Sequence, residues 1–157
     1  MAQLPRTPDL EAQRTAMKKL DFLVGRWAGE ARIARPGETI NLVQTEEARY
    51  KLDGLILIIE RVGRTKSDGV PIPSCYEDES KTYWMRAFND GRYLETEVKL
   101  SDDDKGMTWG FALGEIRTNS VMRINERGEW TEVHEITIGS QPRKRLMEVA
   151  VRKQNYL

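Results

Sequence analysis

Glu132 and His134 stand two residues apart in the run GEWTEVHEITI, and an acid and an imidazole at that spacing can do chemistry. On an extended chain they emerge on one face about 7 Å apart, too far for a dependable direct hydrogen bond but near enough to touch one ligand. A carboxyl raised by burial beside an imidazole can act as a general acid or base. Gln44 and Glu46 repeat the spacing, and Arg86 stands between Trp84 and Phe88. A lone buried charge costs several kcal/mol, so such groups must pair with each other or with a ligand. In one reading Glu46 or Glu132 neutralises Arg86 while Gln44 and His134 complete the hydrogen bonds. In the other, the planar fork of Arg86 anchors an acidic head group at the base of a cavity. Trp84, Phe88, Trp109 and Phe111 then hold the apolar remainder. No activated serine or cysteine nucleophile is recognisable, and no glycine-rich phosphate loop precedes a helix.

Positioning these groups requires strands. Pro36-Gly37, Asp53-Gly54, Asp68-Gly69, Asn89-Asp90-Gly91, Arg127-Gly128 and their like punctuate the chain roughly every 8 to 15 residues, which predicts an antiparallel meander of about nine or ten strands from Arg26 onward. Alternation turns Gln44 and Glu46 inward with Leu42 and Ala48, and Glu132 and His134 inward with Trp130. It also turns Ser120 inward with Met122, and Trp109 and Phe111 with Met107. The strand through Trp84, Arg86 and Phe88 is ambiguous, since Tyr83, Met85 and Ala87 make an equally apolar opposite face. Ahead of the strands, Thr7-Pro8-Asp9 reads as a helix start, with Thr7 capping, Pro8 first in the helix and Leu10, Met17 and Leu20 near one face. That helix, over residues 8–20, is expected to cover one barrel mouth. The stretch 64–80 reads as a mobile flap over a mouth.

The 157 residues carry 25 basic and 25 acidic side chains. They are read as one domain, residues 1–157, with no electrostatic case for nucleic acid or an anionic membrane as main partner. No segment is long and apolar enough for membrane insertion, and MAQLPRTPDLEAQ has no apolar signal region. A single cysteine, Cys75, excludes a disulfide framework within the chain and fits a reducing cytoplasm. With only one histidine beside it, a zinc site of several such ligands is excluded as well, and no metal is expected. Carboxylates near Cys75 raise a thiol, so it is not read as reactive. The acidic runs 77–79 and 102–104 are read as solvated loop tips.

Gly25-Arg26-Trp27, set in LDFLVGRWAGEARI, is similar to the first strand of calycin barrels, the lipocalins and fatty-acid-binding proteins. FLVGRWAGE, Gln44-x-Glu46, KLDGLILIIE, YWMRAFNDGR, Trp109, GEWTEVHE and MEVAVRK together resemble a largely uncharacterised bacterial family of lipocalin-like barrels. That resemblance implies an all-β, up-and-down barrel with a central cavity. It also implies structural roles for Gly25 at the sharp turn and Trp27 at the closed end, with a late-strand arginine, Arg152, stacked over Trp27. FLVGRWAGE further resembles the opening of nitrobindin-type barrels, which hold haem through one histidine and handle nitric oxide. Their ligating histidine lies near the C-terminus, where RLMEVAVRK has none, so haem is not expected and no cofactor is predicted.

The resulting expectation is a protein that binds a small, mostly apolar or amphipathic molecule inside a barrel. The alternatives are a cavity enzyme of isomerase or lyase type using Glu132, His134 and Glu46, a haem protein of the nitrobindin kind, and an interaction module with a homodimer face.

Overall fold

The computed structural model describes residues 6–64, 70–77, 80–89 and 91–155. A short helix, α1 (Leu10–Met17), runs into a 3-10 turn (Lys18–Leu23) and then into eleven strand segments. These are β1 (Gly25–Arg35), β2 (Glu38–Lys51), β3 (Ile56–Gly63), β4 (Val70–Glu77), β5 (Thr82–Asn89), β6 (Arg92–Leu100), β7 (Gly106–Trp109), β8 (Ala112–Leu113), β9 (Ile116–Ile124), β10 (Glu129–Ile138) and β11 (Lys144–Lys153). β7 and β8 are pieces of one broken run, both laid along β9.

All pairings are antiparallel, and the strongly curled sheet closes on itself because β1 pairs with β11 as well as β2, and β9 with β7 and β10. The narrowest seam lies between β6 and β7, where only Lys99↔Thr108 and Leu100↔Met107 are paired. The closest backbone approach is at Gly29, where a Cβ would stand 2.1 Å from the Ala150 carbonyl oxygen of β11. Gly25 turns the chain out of the helical segment at φ +131°, a conformation other residues rarely adopt.

The helical segment closes one end of the barrel. Met17, Leu20 and Leu23 are buried against it, whereas Leu10 is exposed, so the apolar face begins later than its sequence pattern suggests. The cap differs too. Asp9, not Thr7, caps α1, its Oδ1 accepting from the Ala12 amide at 2.9 Å. Three side chains of the barrel reach the carbonyls that the helix ends leave open. Tyr83 donates to Ala16 O at 2.8 Å, Trp27 Nε1 to Leu23 O at 2.8 Å, and the Tyr50 hydroxyl lies 2.7 Å from both Met17 O and Asp21 Oδ1. Trp27 and Trp130 meet edge to face just inside, with ring centroids 5.5 Å apart.

Two expectations about the wall change. Part of the stretch read as a flap is strand β4, paired to β3 over residues 70–75 and to β5 only over 74–77. Pro71 and Pro73 fall where β4 has no β5 partner, the kind of local edge that tolerates a missing N–H. Residues 65–69 and 78–79 of that stretch lie outside the described residues. Arg152 does not cover Trp27: it points outward and pairs with Glu129 at 2.7 Å. Lys153 does the covering, its Nζ 5.4 Å from a Trp27 ring centroid, because Lys153 is the register partner of Trp27 and Arg152 faces the other way.

Candidate functional site

The interior charges gather around a residue that sequence pattern did not single out. Arg61, near the end of β3, is directed inward by the same parity that buries Leu57 and Ile59. Its Nε lies 2.8 and 2.9 Å from the two carboxylate oxygens of Glu46, its neighbour across the β2–β3 ladder. Its Nη2 donates to Glu132 Oε1 at 2.6 Å, spanning the barrel to β10. Gln44 Nε2 donates to Glu46 at 3.0 Å, and Trp130 Nε1 to Glu132 at 2.7 Å. His134 Nε2 is 2.7 Å from Glu132 Oε2, and its Nδ1 is 2.8 Å from Ser120 Oγ on β9. The edge of Trp109 rests on the imidazole, with centroids 5.8 Å apart.

The expectation of no direct Glu132–His134 contact is therefore corrected. Residues two apart on a twisted strand lean their long side chains together. An ionised carboxylate only accepts, so the Nε2 facing Glu132 carries hydrogen, while Nδ1 and the Ser120 hydroxyl share the second bond.

One guanidinium serves two buried carboxylates, and their environments separate them. Burial works against the charge of Glu132, but Arg61 and His134 outweigh it and hold this carboxyl at about 2. Burial pushes Glu46 up to about 7; Arg61 pulls it down while the charge of Glu132 adds to the push. For Arg61, burial opposes the charge and the two carboxylates more than restore it, so the guanidinium stays protonated. Among the described residues no buried side-chain polar atom lacks a hydrogen-bond partner. A satisfied network of this kind holds opposite walls of a barrel in one register.

Arg86 stands elsewhere. It lies on the outer face of β5, 43% exposed, and bonds Glu95 at 2.6 Å and the Tyr93 hydroxyl at 3.2 Å. Trp84 shares its outward parity, and Phe88 is exposed against Tyr93. The reason is Met85, buried between them, which took the inward parity that the sequence left open. The structure thus brings together Gln44, Glu46, Glu132, His134 and Trp109, leaves Phe111 half-buried near the end away from the helix, and removes Trp84, Arg86 and Phe88. The additions are Arg61, Ser120 and Trp130. For Arg61 the signal was its parity with Leu57 and Ile59, masked because Ile56 and Ile58 make the other face apolar too.

The order Ser120, His134, Glu132 has the sequence of groups found in a nucleophile–base–acid chain. Ser120 is 3% exposed and Glu132 2%, so both are shut away from solvent. Both ring nitrogens of His134 are engaged by protein. Among the described residues no helix is long and apolar enough to cross a membrane.

The fold has a solved counterpart. The crystal structure of Rv2717c from M. tuberculosis superposes with a TM-score of 0.62 at 14% identity, covering 89% of this chain and 98% of that one. At that identity the likeness is one of fold. No protein-family model and no curated protein matches the sequence.

Proposed function

We propose that the half of the barrel away from the helix takes up a small, mostly apolar molecule whose uncharged polar end bonds Arg61 beside the His134 ring. The observation that carries this is a gradient of burial along the inward-facing residues. On β10, Trp130 and Glu132 are buried, His134 and Ile136 are partly exposed, and Ile138 is open. β2 runs from buried Ala48, Glu46 and Gln44 to half-buried Leu42 and Ile40, and β3 from buried Leu57 and Ile59 to half-buried Arg61. β6 repeats it from Val98 through Thr96 to Leu94. A self-filled barrel closes at both ends; this one closes at the helix and loosens opposite it.

The charged network then forms the floor of a cup, its carboxylates hidden and its Arg61 and His134 side chains 19% and 15% exposed. Leu42, Trp109 and Met147, all partly exposed, supply apolar wall. An acidic head group loses its anchor with Arg86 on the outside. It gains no replacement at Arg61, whose single charge is already shared by two carboxylates. A carbonyl, hydroxyl or amide oxygen can accept from Arg61 Nη1, which has no partner among the described residues, without adding a third negative charge. The buried positions of Glu46, Glu132 and Ser120 weigh against the cavity-enzyme reading.

The test is quenching of Trp109 fluorescence, against a Trp109→Phe control, by 2-undecanone, 1-decanol and decanoate at pH 8. Saturable quenching by the ketone and alcohol, with decanoate at least tenfold weaker, is expected. Decanoate binding as tightly as the ketone, or no saturable response to any of the three, overturns the reading.

A further inference from the structure

The zero net charge of the chain conceals a polarity along the barrel. The end opposite the helix is formed by the strand ends and turns of residues 33–40, 62–64, 87–89, 91–94, 111–118 and 136–146. Among the described residues of those segments, Arg35, Arg64, Arg92, Arg117, Arg143, Lys144 and Arg145 face only Glu38 and Glu115 as counter-charges. Arg143 and Arg145 are drawn back to Glu135 and Glu148. Arg35, Arg64, Arg92, Arg117 and Lys144 are exposed and in no ion pair among the described residues.

The same end carries bare apolar side chains. Leu113, Ile116 and Ile138 are direct register partners across β8, β9 and β10, and form a continuous lip on the inner side of the mouth. Leu113 is 66% exposed and Ile138 44%. On the β5–β6 hairpin at this end, Leu94 is bare and Phe88 stacks on Tyr93 at 5.2 Å.

An apolar lip ringed by unpaired cations has a complement. We propose that this end of the barrel docks on an anionic phospholipid surface, with Leu113, Ile116 and Ile138 entering the acyl boundary and the surrounding cations lying among the headgroups. Charge selects the occupant: a neutral surface leaves five cations uncompensated, and a nucleic acid leaves the aliphatic lip without a partner. Tyr93, with a ring and a hydroxyl, suits the headgroup level beside it. This inference is independent of what the barrel holds, because it concerns the outside of the mouth.

The experiment is co-sedimentation of the full chain with vesicles of phosphatidylcholine alone or mixed equally with phosphatidylglycerol. Binding to the mixed vesicles only is expected, and its loss in about 0.5 M salt, where the screening length falls to roughly 4 Å. Replacing Arg92, Arg117 and Lys144 together by glutamine lowers partitioning on the order of 100-fold, since each cation near such a surface contributes about fivefold. Leu113→Asn with Ile138→Asn weakens it with the cations intact. All five positions are exposed, so near-UV circular dichroism should be unchanged. Equal binding to neutral vesicles, binding indifferent to both variant sets, or no binding overturns the proposal. So does sedimentation equilibrium showing a dimer that the lip variants dissolve, which makes a second copy the occupant.

Discussion

Replacing Glu46 by glutamine is expected to stabilise the protein at alkaline pH while leaving it unchanged in mild acid. Glu46 is fully buried, and its carboxyl is raised from an ordinary 4.5 to about 7 by burial, which the Arg61 guanidinium only partly offsets. Because the native value is the higher one, the folded protein keeps a proton that the unfolded chain releases. The associated stability is complete below pH 4.5 and is lost as pH rises through 7. The interval from 4.5 to about 7 corresponds to about 3 kcal/mol. Glu132 has the opposite sign: held at about 2, it contributes fully above pH 4.5 and loses that contribution as pH falls toward 2. Native stability therefore peaks near pH 5. Glutamine keeps an acceptor for Arg61 Nε, and the Gln44 amide can turn to meet the new amide. At pH 8 the variant should exceed the native protein by up to about 3 kcal/mol, or roughly 6–12 °C in Tm for a chain of this length. At pH 4.5 the two should coincide. Urea unfolding followed by tryptophan fluorescence at both values measures this. A variant equally destabilised at pH 4.5 and pH 8 refutes the assignment of the raised carboxyl to Glu46.

Arg61→Met leaves two buried carboxylates without their cation and should cost about 3–5 kcal/mol at pH 8 in the same urea assay. The loss shrinks at pH 5, where Glu46 is protonated, and is partly recovered by adding Glu46→Gln. Tyr83→Phe removes the bond to Ala16 O; a loss of about 1–2 kcal/mol is expected, with faster hydrogen exchange confined to residues 10–23. Arg152→Ala removes an exposed pair and should not move Tm, whereas Trp27→Ala, emptying a site 3% exposed, should cost about 3–5 kcal/mol. Gly29→Ala sets a methyl against the Ala150 carbonyl and should lower Tm by several degrees by calorimetry.

Most of the wall was legible because its strands alternate cleanly. β10 reads Trp130, Glu132, His134, Ile136 on one side, and β2 reads Leu42, Gln44, Glu46, Ala48; both patterns return as buried or partly buried faces. Legibility failed where both faces of a strand are apolar. In β3, Ile56 to Ile59 gives no parity, so Arg61 could not be turned inward from its own segment, and in β5 Met85 competed with Trp84 and Phe88. The choice of Arg86 as the interior cation followed from that second ambiguity. Arg152 failed for a sharper reason. Alternation already placed it outward, and one residue further along, Lys153 has the required parity. β4 was hidden by two prolines, which suit a strand only where its neighbour is missing on one side.

Ring closure also has consequences for how the chain reaches this state. Nearly every strand pairs with a neighbour in sequence, so hairpins can form early and quickly. The exception is β1 with β11, which must draw together the two ends of the meander against loop-closure entropy. Arg61 and Glu132 lie on opposite sides of that closure and cannot meet until it is complete. Arg61 and Glu46 can meet early, within the β2–β3 hairpin, so it is the bond to Glu132 that joins the charged floor last. A substitution at Glu132 should accordingly change the rate of unfolding far more than the rate of folding. The charged floor then acts as a latch that sets how long the closed ring survives.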